Sequence, residues 1–294
     1  MYYRRKYLIA LGQYFGSHLD NLRLQKLLFI ATRRQEKKLF DFVPYKYGCF
    51  SFQANQDMST MFKRHFIGKS DENWDLSNSQ KYYNELKRED QASIVSTYNE
   101  FKDYTNDELI KFTYENYPYF AINSKIAHKV VDSKHLEKIT RQKRIYSEQS
   151  FFTIGYEGIS LERYLNKLII NGVELLVDVR KNPQSMKYGF SKNQLKKAVD
   201  GVGIQYLHIP DLGIESSERK TLTNLKEYRI LFEKYRKTTL KENANQLDEL
   251  IKLLDNHGRI AITCFEKEVC MCHRGEIAKA LKRKKAWSAP IKNL

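Results

Sequence analysis

From Phe151 onward, short apolar runs alternate with stretches of helical patterning, and this alternation limits the possible folds more than any other feature of the chain. FFTIGYEG is an apolar run ending in glycine, as expected of a strand that enters a loop. Leu161, Leu165, Leu168 and Ile169 then share one helical face, and Ser160 is placed to cap a helix running through Asn171. VELLVDV, IQYLHI and RIAITCF read as further compact strands. Residues 191–200 read as a helix capped by Ser191, residues 225–255 as a long helical stretch, and His273 to Lys285 as a last helix. Strands and helices in this order make an α/β domain with a mostly parallel, Rossmann-like sheet covered by helices.

A chain of 294 residues has room for a second domain. Residues 1–133 read as mainly helical, with Leu24, Leu27, Leu28 and Ala31 at helical spacing. FDFVPYKYGCFSF, which holds the first proline, Pro44, is aromatic and alternating and predicts an extended turn or short hairpin. Further helices are expected over 80–103 and 106–116, the second with Asp107 as its cap. Residues 134–150, KHLEKITRQKRIYSEQS, are polar and basic and read as a linker or a solvated helix before the domain at 151–294.

The charge balance points to a partner. With 51 Lys and Arg against 35 Asp and Glu, the net charge is +16, a field that attracts polyanions. Nucleic acid, DNA above all, is the expected partner, against the plainer alternative of a basic but inert surface. Arg141, Lys143 and Arg144, with Lys282 and Arg283 near the C-terminus, are candidate backbone contacts. A basic helix end also suits the helix dipole without any partner. No run approaches the ~20 apolar residues of a membrane span. The N-terminal MYYRRKYLIALGQYF lacks a small-residue cleavage site, and three of the four cysteines crowd into one segment, unlike a secreted disulfide framework. A cytoplasmic location is expected, with no membrane partner and a possible protein partner for the N-terminal domain.

Polar residues follow the strands of the C-terminal half, where open α/β sheets bind ligands. Asp178 and Arg180, two apart, share a face and can orient a phosphate or simply bridge to each other. Cys264, Glu266, Cys270, Cys272, His273 and Arg274 form the densest cluster. Four readings stay open there. Cys272 is a nucleophile whose thiol is acidified by a helix N-terminus. Cys264, Cys270, Cys272 and His273 bind zinc. His273 and Arg274 hold phosphate while Glu266 acts as acid or base. The cysteines are buried small hydrophobes. Tyr156 and Tyr206 are candidates for stacking a base, Ser185 for holding substrate, and His208 is a weaker candidate. Asp178 and Glu266 suit Mg²⁺ should the chemistry need a hard ion. Walker, G-x-G-x-x-G and H-E-x-x-H signatures are absent from the sequence, which argues against a nucleotide-driven motor, a dinucleotide oxidoreductase and a zincin.

Several ordered motifs resemble the bacterial domain-of-unknown-function family 488 across about residues 151–285. They are T-I-G-Y at 153–156, D-V-R-x-x-P-x-S from Asp178 to Ser185, and F-S-K-x-x-L from Phe190 to Leu195. G-I-x-Y at 203–206, Leu212-Gly213, C-x-E from Cys264 to Glu266 and C-H-R at Cys272–Arg274 complete the set. The resemblance implies a Rossmann-type α/β domain; Tyr156 stands where many members carry His. Residues 24–62 are similar to Panacea-type domains associated with antitoxins and phage defence, which implies a helical, winged-helix-like N-terminal domain. Together these features lead us to expect hydrolytic processing of DNA, at a phosphodiester or a modified or damaged base, in defence or repair. A non-catalytic binding module and a Cys272-based thiol hydrolase or redox protein are the rival expectations.

Overall fold

The structure, a computed structural model, describes residues 1–219 and 225–294. It divides into two units, Met1–Lys143 and Arg144–Leu294.

The first unit contains α1 (Tyr3–Tyr14), β1 (His18–Asp20), α2 (Asn21–Arg33), β2 (Val43–Tyr45), β3 (Gly48–Phe50) and α3 (Phe52–Lys63). It continues through β4 (Gly68–Ser70), β5 (Asn73–Asp75), α4 (Arg88–Phe101), α5 (Asn106–Asn116), α6 (Ala127–Val130) and α7 (Ser133–Gln142). β5 pairs antiparallel with both β1 and β4, giving the order β1-β5-β4. A helix, a strand, two helices and a closing hairpin whose last strand pairs with the first make a winged-helix arrangement, with the β2–β3 hairpin inserted between α2 and α3. The apolar stripe of α2 is buried in its core: Leu24, Leu27, Leu28 and Ala31 are all nearly inaccessible. The hairpin is the one that FDFVPYKYGCFSF predicts. Its Gly48 has φ +93°, and a Cβ there would meet Lys26 Nζ and the Tyr114 ring at 2.6 Å.

Three expectations in this unit change. The helix expected over 80–103 begins only at Arg88, after a single turn at Tyr83–Glu85. α5 is capped by Thr105 and not by Asp107: Thr105 Oγ1 accepts from the Glu108 amide while the Glu108 carboxylate accepts from the Thr105 amide. This reciprocal box satisfies two amides at once, which a carboxylate inside the first turn does not do. The end of the first domain also moves from 133: in the segment read as a linker or a solvated helix, α7 runs to Gln142, is capped by Asp132 and buries Ile139, and the boundary between the units follows Lys143.

The second unit contains β6 (Ser150–Gly155), α8 (Leu161–Ile170), β7 (Leu175–Asp178), α9 (Lys192–Asp200), β8 (Gln205–His208) and α10 (Leu225–Lys237). α11 (Thr239–Glu242), α12 (Ala244–His257), β9 (Arg259–Cys264), α13 (His273–Lys282) and β10 (Ile291–Asn293) follow. The five strands form one parallel sheet in the order β10-β6-β9-β7-β8. β6, β7 and β9 are buried along their whole length, as near-continuous apolar strands of a parallel sheet covered on both faces should be. Ser160 caps α8 as expected, its side chain accepting from the Arg163 amide. Ser191 sits at the start of α9, but its hydroxyl donates to the Ser185 carbonyl and accepts from the Ser185 amide, tying down the preceding loop instead of capping. The stretch expected as helical over 225–255 is three helices, interrupted at Thr238 and Asn243, residues that favour helix ends over interiors. The last helix stops at Lys282, short of Lys285. No helix among the described residues is long and apolar enough to cross a membrane.

Candidate functional site

The central strand β9 ends at Cys264, in register with Gly155 at the end of β6; Asp178 ends β7 on its other side. The strands run parallel, so their C-terminal ends deliver these residues to one edge. A cleft of about 1030 Å³ opens there, lined among others by Tyr156, Arg180, Ser185, Lys187, Cys264, Phe265 and Glu266.

The loop after β9 is held from two sides. The Tyr156 and Glu157 amides donate to the Phe265 carbonyl, at 3.1 and 2.9 Å. From the first turn of α13, Arg274 donates through its two terminal nitrogens to the carbonyls of Glu266 and Lys267. Arg274 is therefore a buried strut, and its guanidinium faces backbone oxygen where a phosphate was expected. The packing is close enough that a Cβ on Gly155 would lie 1.9 Å from the Glu266 carbonyl oxygen, so glycine is required at the end of β6.

Beside the cleft, which Cys264 and Glu266 line, the structure brings these two residues together with Cys272 and His273. The Cys264 thiol donates to Glu266 Oε2 at 3.2 Å and lies 3.5 Å from His273 Nδ1; Cys272 Sγ is 4.0 Å from the same nitrogen. On the far side of the ring, His273 Nε2 is 3.0 Å from the Val179 carbonyl. A carbonyl only accepts, so Nε2 carries the proton and the Nδ1 lone pair faces the two sulfurs. Cys272 is itself buried, and burial followed by the neighbouring Cys264 pushes its thiol well above the ordinary range. Desolvation thus opposes the acidification expected from the helix N-terminus. Cys270 is exposed and stands outside the cluster.

Asp178 and Arg180 face each other. Asp178 Oδ1 accepts from Arg180 Nε at 2.8 Å and Oδ2 from its Nη2 at 2.5 Å, while Tyr206 donates to Oδ2 at 2.7 Å. The remaining terminal nitrogen of Arg180 donates to Tyr156 Oη and to the Phe190 carbonyl, both at 2.8 Å. Burial opposes the Arg180 charge, yet Asp178 outweighs it and holds the guanidinium firmly protonated. Burial, and then the same carboxylate, raises the Tyr206 phenol. Both oxygens of Asp178 are thus occupied by protein donors, which removes it from the expected roles of water activator and Mg²⁺ ligand. Tyr156 cannot stack a base on one face, because Phe190 covers it at 4.3 Å with the rings nearly parallel. Ser185 does line the cleft, its hydroxyl accepting from the Lys187 amide. His208 bridges structure, donating from Nε2 to the Arg180 carbonyl. Arg141, Lys143, Arg144, Lys282 and Arg283 are all exposed, with Arg141 paired to Glu137 at 2.6 Å.

Lys187 and Phe265 are cleft residues to which the sequence reading gave no role. Lys187 Nζ donates to the Tyr156 carbonyl at 2.7 Å, and burial lowers its pKa. Its loop position has no periodic or spacing signal. Phe265 stands half exposed at the cleft, and that was legible in principle: alternation after the buried strand points it away from Cys264.

Fold and site together define a parallel α/β domain with a thiol, imidazole and carboxylate cluster at the wall of a strand-end cleft. Residues 160–281, from the cap of α8 into α13, match the family model described as "Domain of unknown function DUF488". The match lies within the C-terminal unit, Arg144–Leu294. No curated protein and no solved structure matches the chain. The Leu212-Gly213 pair has a physical reason: a Cβ on Gly213 would lie 2.1 Å from the Lys181 amide nitrogen, in the loop that follows Arg180.

Proposed function

We propose that the C-terminal domain is a hydrolase acting on nucleic acid, with Glu266 activating water at the strand-end cleft. The observation that carries this reading is the placement of Glu266, Cys264 and His273 together at a cleft large enough for a nucleotide. Glu266 lines the cleft and is partly accessible, as a general base must be. Phe265 offers an aromatic face for a base and Lys187 a cation for a phosphate, roles taken over from Tyr156 and Arg180. The net charge of +16 supports a polyanionic substrate, with DNA in a defence or repair setting as the first choice. Asp178 and Arg180 act as positioning residues that hold the wall at Tyr156.

The test is incubation of the purified protein with unmodified and base-modified DNA beside Glu266→Gln. The expected result is strand cleavage or base release, reduced by about 10²–10⁴-fold in the variant, the usual contribution of a general base. Salt-sensitive binding with no turnover on any substrate would replace the hydrolase with a binding module, a reading favoured by the complete internal pairing of Asp178.

A further inference from the structure

We propose that Cys264 Sγ, Cys272 Sγ and His273 Nδ1 form a three-ligand site for a zinc-class transition-metal ion, with the fourth position turned to the cleft beside Glu266. The three ligand atoms lie within 4.8 Å of one another and all three residues are buried. Metal–sulfur bonds of about 2.3 Å and metal–nitrogen bonds of about 2.0–2.1 Å, set at tetrahedral angles, place sulfur and nitrogen about 3.5–3.6 Å apart. The Cys264–His273 separation is 3.5 Å and the Cys272–His273 separation 4.0 Å, so one ligand moves by a few tenths of an ångström to close the site.

The imidazole is oriented for this task. Its Nε2–H is on the Val179 carbonyl, the outer hydrogen bond that metal-ligating histidines make to fix the tautomer and aim the other nitrogen. Two sulfurs and an imidazole select zinc-class ions, where the Mg²⁺ expected from carboxylates would need oxygen ligands. Each thiol gives up its proton to solvent as its sulfur takes the ion, so a divalent cation with two thiolates and a neutral imidazole is uncharged overall, which suits a buried site.

The fourth position has a direction. Of the four clustered residues, Cys264 and Glu266 line the cleft. Glu266 Oε2 lies 3.2 Å from Cys264 Sγ, within reach of the ion or of a water on it. Three protein ligands with one position open to a cleft mark a catalytic rather than a structural metal site. The exposed Cys270, grouped with these ligands on sequence spacing, takes no part. The inference deepens the proposed hydrolase, supplying the centre whose water Glu266 would deprotonate, but its test does not depend on turnover.

The full-length protein, reduced and stripped with chelator, is titrated with Co²⁺ and then with Zn²⁺. One equivalent of Co²⁺ should bind, with a thiolate-to-cobalt charge-transfer band and intense tetrahedral d–d bands, and Zn²⁺ should displace it. Cys270→Ser should leave these spectra unchanged. Cys272→Ser should remove about half of the charge-transfer intensity and weaken binding about 100-fold, at the upper end of what even outer-shell changes cost. Because a buried substitution also perturbs packing, the partly exposed Glu266→Gln gives an independent check: binding retained, d–d bands shifted. Wild-type protein without charge transfer, equal loss in Cys270→Ser, or d–d bands indifferent to Glu266→Gln would overturn the centre. A bound ion without turnover sinks the hydrolase alone, and turnover with no ion bound sinks the metal centre alone.

Discussion

Asp178 accepts from the Arg180 amide at 3.1 Å as well as from its guanidinium and from Tyr206, so a carboxylate picked out for chemistry is fully used in holding the loop. The D-x-R spacing was legible, and so was the choice between a phosphate clamp and an internal bridge. Which of the two occurs depends on burial, a property of the neighbours: both side chains are almost wholly enclosed. The consequence is a stability prediction. Asp178→Ala strands a buried guanidinium and should cost about 3–5 kcal/mol in urea unfolding, whereas Tyr206→Phe should cost about 1 kcal/mol. An Asp178→Ala variant as stable as the wild type would return this pair to the list of substrate contacts. Arg274 teaches the same lesson from the other side of the sheet end. Arginine after Cys-His suggested an anion, and the carbonyls of Glu266 and Lys267 fill that place.

At the scale of elements, local signals were read well where one residue type decides the outcome. Ser160 caps α8 because its hydroxyl meets the Arg163 amide, and the apolar stripe of α2 is buried because its period matches the helix. They were read poorly where two devices compete. Thr105 and Asp107 are both plausible caps, and Thr105 prevails through its partnership with Glu108. Thr105→Ala should destabilise the protein by about 1 kcal/mol in a thermal or denaturant melt, while Asp107→Ala should leave the midpoint near the wild-type value. The long helical stretch after residue 225 failed for a related reason. Periodicity persists across Thr238 and Asn243, and the breaks there become visible only where α10, α11 and α12 are laid out separately.

For the whole molecule, the two units divide at Lys143–Arg144, and residues 143–149 join α7 to β6 without regular structure. Lys143 and Arg144 are both exposed. Limited trypsin treatment should therefore cut there first and yield two fragments that resist further digestion, identified by mass; first cuts inside β6 to β9 would contradict the division. The alternation of apolar runs with helical stretches by itself determined the second unit as a parallel α/β sheet, because strand period, helix period and burial are written locally in the chain. Motif order was enough to suggest the family, for the same reason. Only the tertiary structure decided the strand order, which seats β9 between β6 and β7 and so carries Cys264 to the centre of the ligand-binding edge. It alone decided that Cys272 and His273 converge on Cys264 while Cys270 stays outside, and that Arg180 and Arg274 turn inward. Those outcomes rest on contacts between residues far apart in the chain, and on which polar groups desolvation leaves no choice but to pair.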